Sequence, residues 1–115
     1  MEMTIEQREE RAQTLKDEII EYLVPNPESV EWSQDPNNRK GLVRYDLILL
    51  EPNERPILQI NFDPTTIRVR VLNTFPEYLS EGLVKIEGSA NFPYREHSDN
   101  QNIIAWINDY LKRNK

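Results

Sequence analysis

From residue 30 to residue 72, apolar and polar side chains take turns along four short segments, and that period of two commits them to strands with one dry and one wet face. Val30 and Trp32 point one way, Glu31 and Ser33 the other. Val43, Tyr45, Leu47 and Leu49 share a face, with Arg44, Asp46 and Ile48 behind them. Leu58, Ile60 and Phe62 oppose Gln59 and Asn61, and Ile67, Val69 and Val71 oppose Arg68 and Arg70. Asp35-Pro36-Asn37-Asn38 with Gly41, Glu51-Pro52-Asn53-Glu54, and Asp63-Pro64 supply turn chemistry between them. Short connections join antiparallel neighbours, so the sheet is expected to be a meander.

Pairing Leu47 with Ile60, Leu49 with Leu58 and Tyr45 with Phe62 places three core pairs opposite one another. Phe62 with Ile67, Ile60 with Val69 and Leu58 with Val71 extend the same face. On the other face these registers set Glu31 beside Arg44, Asp46 beside Asn61 and Arg68, and Gln59 beside Arg70. A slip of one residue would turn the apolar set toward water, so each pairing is strongly specified.

The flanking segments keep helical spacing instead. Thr4 and Gln7 form a capping box that opens a helix. Ala12, Leu15, Ile19, Tyr22 and Leu23 make its apolar stripe, Ile5 and Ile20 widen it, and the Glu and Arg faces are expected to stay wet. Pro25 and Pro27 end it. Ser98 with Gln101 repeats the capping pattern near the far end, where Ile103, Ile104, Ile107, Tyr110 and Leu111 form a second stripe. Lys112 and Arg113 follow, where the helix dipole favours cations.

Between strand four and the last helix, residues 74–79 read as one short helical turn closed by Gly82. Val84 and Ile86 alternate with Lys85 and Glu87 as a fifth short strand. Residues 88–97 then read as a loop whose Phe92 and Tyr94 cover the open end of the core. Trp32 belongs to the core and Trp106 to the edge of the last stripe. The whole chain, 1–115, is expected to be a single α+β domain: an antiparallel meander sheet of four to five strands with N- and C-terminal helices packed on one face, in the order α-β-β-β-β-(short α)-β-α.

Composition narrows the function. The 115 residues include no cysteine, which excludes disulfide staples, cysteine zinc sites and thiol nucleophiles, and fits a cytoplasmic location. The charged start MEMTIEQREER is unlike a signal peptide, and the longest apolar run, residues 47–50, is far too short to span a membrane. A net charge of −6 disfavours nucleic acid as a partner. The charge is uneven: residues 1–31 hold nine acidic residues against Arg8, Arg11 and Lys16, whereas residues 39–72 hold six basic against four acidic.

Motifs for chemistry are sparse. The three glycines stand apart at 41, 82 and 88, so no phosphate-cradling loop is present. No acid or histidine cluster has metal-ligand spacing, and no metal or cofactor is expected. The single histidine, His97, could act as a base oriented by Asp99, or simply lead into a capped helix. The run YDLILLEPNERPILQIN resembles the core of metal-dependent nucleases, in which an Asp is followed on the next strand by Asp or Glu, any residue, and Lys. In that resemblance Asp46 keeps the first acid, Gln59 replaces the second and Asn61 replaces the lysine, which implies a degenerate core. The layout of helices on one side of a meander is loosely similar to that of small bacterial secretion chaperones.

The function expected from these features is a small acidic non-enzymatic module that binds another protein, of the immunity, inhibitor, adaptor or chaperone type. Its surface would be the polar sheet face carrying Arg44, Asp46, Gln59, Asn61, Arg68 and Arg70. The plainer alternative is a solvated face stitched by cross-strand ion pairs. An enzyme with a dispersed site around His97 and Asp99, or the degenerate nuclease-like core, is the other class, and a homodimer is open to either.

Overall fold

The computed structural model describes residues 2–22, 30–34, 41–50, 54–73, 85–94 and 100–113. Helix α1 spans Ile5–Tyr22, strands β1 to β5 span Val30–Gln34, Arg44–Leu49, Arg55–Phe62, Thr66–Asn73 and Lys85–Pro93, and helix α2 spans Asn100–Arg113. The five strands form one antiparallel sheet in sequence order. This is the expected α+β meander. The turn residues 35–38 and 51–53, the short helix at 74–79, Pro25, Pro27 and Ser98 lie outside the described residues.

The capping box opens α1 as the sequence implies. The Thr4 N–H donates to Gln7 Oε1 at 2.9 Å, and the Gln7 N–H donates to Thr4 Oγ1 at 3.1 Å. Ala12, Leu15 and Ile19 then face the sheet and are fully buried. The stripe is narrower than expected at its ends, since Ile5 and Tyr22 are 40% and 57% exposed. Its fourth member is Arg8, one turn before Ala12 and only 7% exposed, where a wet residue was expected. Arg8 is buried because its Nη1 donates to the carbonyls of Gly41 and Phe62, at 3.1 Å each, so the charge is met by main-chain oxygens at the end of the sheet.

The apolar faces of β2, β3 and β4 close on both helices. Val43, Tyr45, Leu47, Leu58, Ile60, Phe62, Ile67, Val69 and Val71 form one cluster with Ile103, Ile104 and Ile107 of α2 and the α1 stripe. Each such side chain contributes about 1.5–3 kcal/mol of transfer free energy. Trp32, Phe92, Tyr94, Trp106 and Tyr110 are partly buried at its margin. Phe92 meets Trp106 edge-on, with ring centroids 6.1 Å apart, so the late aromatic residues do close the end of the core. Neither described helix is long and apolar enough to cross a membrane.

Two registers differ from expectation. β3 and β4 pair as expected, with Phe62 opposite Ile67 and Leu58 opposite Val71. In the β2–β3 pair, however, Tyr45 faces Ile60, Leu47 faces Leu58 and Asp46 faces Gln59, two residues away from the expected alignment. A shift of two leaves every side chain on its own face, so alternation alone cannot distinguish the two alignments. Beyond Leu47 the pairing slips by one further residue, so that Ile48 meets Pro56 and Leu49 meets Arg55. Pro56 has no N–H to give the ladder, and strand prolines collect at such bulges. In the β1–β2 pair, Glu31 faces Ile48 rather than Arg44.

β5 is also longer than expected: residues 88–93, read as loop, continue the strand as far as Pro93. Val71, Val69 and Ile67 face Gly88, Ala90 and Phe92, so alternation does persist. Glycine and alanine carry too little apolar surface to announce it. Gly88 is required there, because a Cβ at this position would overlap the Tyr110 ring.

Candidate functional site

With the core on one side, the opposite side of the sheet is mainly polar. All six sequence-predicted positions, Arg44, Asp46, Gln59, Asn61, Arg68 and Arg70, occupy this face and are partly exposed. The corrected register sets Asp46 opposite Gln59, and Arg44 opposite Asn61. Asn61 faces Arg68 and Gln59 faces Arg70 on the far side. β5 extends the surface with Asn91 opposite Arg68 and Ser89 opposite Arg70, which the loop assignment had missed.

The side chains lie in short bonded rows. Arg44 Nε and Nη2 donate to the two carboxylate oxygens of Asp46 at 3.2 and 3.3 Å. Arg68 Nη2 donates to Asp63 Oδ2 at 2.9 Å, a partner at the β3–β4 turn that strand alternation does not reveal. Arg70 Nη1 donates to Gln59 Oε1 at 2.9 Å. Three guanidinium groups are thus set among two carboxylates and a neutral amide. Each exposed pair contributes under about 1 kcal/mol, so the rows orient side chains more than they hold the fold.

The nuclease-like positions come together without the chemistry of that core. Asp46 and Gln59 are direct cross-strand neighbours, but the carboxylate is engaged by Arg44 and the amide by Arg70. Among the described residues, no three His, Cys, Asp or Glu side chains are grouped as a metal would need. His97 and Asp99 lie outside the described residues.

A second feature lies on the helical side. Gln7, Glu10, Arg11, Thr14 and Glu18 recur at steps of three and four along α1, beside the core stripe, and line a groove of about 820 Å³. Tyr94 and the first residues of α2, Asn100 and Gln101, add to the lining, as do Glu2 and Met3. The segment before α1 is anchored nearby by Met3, whose N–H donates to the Pro64 carbonyl at 2.9 Å. Burial pushes the Tyr94 phenol up to about 12, with Arg8 and Arg11 pulling the other way and Asp63 adding to the rise. In α1 this lining looks like any wet helix face, so only the placement of Tyr94 and α2 beside it makes a groove. No protein-family model, curated protein or solved structure matches this chain.

Proposed function

We propose that this protein is a non-enzymatic binding module whose open sheet face docks a carboxylate-bearing surface of a partner protein. The observation that supports this is the arginine row over β2 and β4: three guanidinium groups on a broad polar plane within a chain of net charge −6. Arg70, bonded to the neutral Gln59, offers the best-placed fork for an incoming carboxylate. Arginine is enriched at interfaces because its planar group pairs bidentately and is weakly hydrated.

The test combines a charge reversal with a site-specific crosslink. Arg68→Glu with Arg70→Glu should change stability by no more than about 1 kcal/mol, as expected for exposed pairs. A photocrosslinker at Gln59 should trap a partner through an acidic segment, and the double reversal should abolish that product. Equal crosslinking by both chains, or crosslinks obtained only from a probe at the exposed Gln13 of α1, would assign the partner to another surface.

A further inference from the structure

The open sheet face is graded from a basic end to an apolar one. Arg44, Asn61, Arg68 and Asn91 form one row across β2 to β5, and Asp46, Gln59, Arg70 and Ser89 form the next. Beyond the core row of Leu47, Leu58, Val71 and Gly88, the β2–β3 and β4–β5 ladders each slip by one residue. Ile48 then opposes Pro56, and Leu72 opposes Ile86. Ile48 shares strand parity with Asp46, and Leu72 with Arg70, so both pairs close this end of the open face. Leu49 and Ile57 pack against the core, whereas Ile48 and Leu72, also half-buried, do not join it, and Ile86 is 50% exposed. Single exposed aliphatic side chains are ordinary, but a row of them rimmed by polar residues marks a contact surface.

We propose that the partner meets this face with an amphipathic helix, its aliphatic stripe on Ile48, Pro56, Leu72 and Ile86 and its acidic flank on Arg70. This rests on the docking role proposed above and names the form the partner takes. The apolar row offers no side-chain donor or acceptor. An extended segment laid over it would leave its own N–H and C=O groups dry and unpaired, whereas a helix satisfies them internally. From β2 to β5 the row crosses three strand spacings, about 14 Å, and residues i, i+4 and i+8 of a helix cover about 12 Å. Arg70 precedes Leu72 by two residues, about 7 Å along β4, within reach of a carboxylate on the helix flank. Charge sets the sign of that flank: Arg44, Arg68 and Arg70 all lie to the same side of the apolar row, and they outnumber the Asp46 and Asp63 carboxylates they hold. A second copy does not supply such a helix, because α1 and α2 bury their own stripes in the core.

Selection from a displayed library of short helices with randomised surface positions tests this. Helices recovered on the unaltered protein should carry aliphatic residues at helical spacing, with Asp or Glu along one flank. They should bind Ile86→Ser and Arg70→Glu each about tenfold or more weakly, and Gln13→Ala of α1 unchanged. Added to the unaltered protein, such a helix should shift the amides of Ile48, Leu72, Ile86 and Arg70, a readout independent of what either substitution does to stability. Failure to recover any helix, recovery of helices without an aliphatic stripe, or full affinity for Ile86→Ser would overturn the helix assignment. If those helices still lose affinity for Arg70→Glu, carboxylate docking stands without it. Full affinity for Arg70→Glu would sink the docking reading, and the acidic flank with it. A dimer that Ile86→Ser dissociates would assign the apolar row to a second copy and overturn the partner helix.

Discussion

Arg8 carries a full charge into the protein interior, and its two bonds to the carbonyls of Gly41 and Phe62 tie the first helical turn to the end of the sheet. Removing the side chain leaves two carbonyls without their donor, so Arg8→Met should cost about 2–3 kcal/mol in urea unfolding. Arg11→Met, next on the wetter flank of α1, should cost less. Gly88 makes the opposite kind of demand. Gly88→Ala should destabilise by about 1–3 kcal/mol through overlap with Tyr110, and most of that loss should vanish in a Tyr110→Ala background. Tyr94 sets an alkaline limit. Below pH 10, the ordinary value, its phenol is protonated in folded and unfolded chains alike; between there and about 12 only the unfolded chain gives up the proton, so stability falls as pH rises. A Tyr94→Phe chain should lose less stability across that window than the unaltered protein, as followed by urea midpoints at fixed pH.

At the scale of elements, face and register separate. Which side of a strand each residue occupies follows from parity, and parity placed all six candidate residues on one surface. Register depends on hairpin geometry, and from Arg44 to Leu47 β2 lies against β3 two residues from the expected alignment without turning any side chain over. The Asp46–Gln59 neighbours, and the Arg44–Asp46 pair along one strand, were therefore out of reach of alternation, as was the Asp63–Arg68 bridge across a turn. β5 was read short because Gly88 and Ala90 barely mark the apolar face. The groove was illegible for a different reason: a polar helix stripe becomes a wall only when another element stands beside it. Engineered cysteine pairs can check the register, since the natural chain has no thiol. Asp46→Cys with Gln59→Cys should crosslink under mild oxidation faster than Asp46→Cys with Asn61→Cys, because directly opposed Cβ atoms meet disulfide geometry and diagonal ones do not.

For the molecule as a whole, one cluster links the helices to the sheet and leaves the other sheet surface mainly to arginines, amides and short carboxylates. Leu47 and Ile60 stand at the centre of that cluster, both fully buried, and either change to alanine should cost about 2–5 kcal/mol through lost burial and a residual cavity. Single-cysteine accessibility tests the sidedness beneath the proposed docking face. Cysteine at Gln59 or Asn61 should react with a maleimide within about an order of magnitude of a free thiol, while cysteine at the adjoining Leu58 or Ile60 should react only as the protein unfolds. Equal protection at Gln59 and Ile60, or rapid labelling at Ile60, would contradict an open polar sheet face over a single buried core.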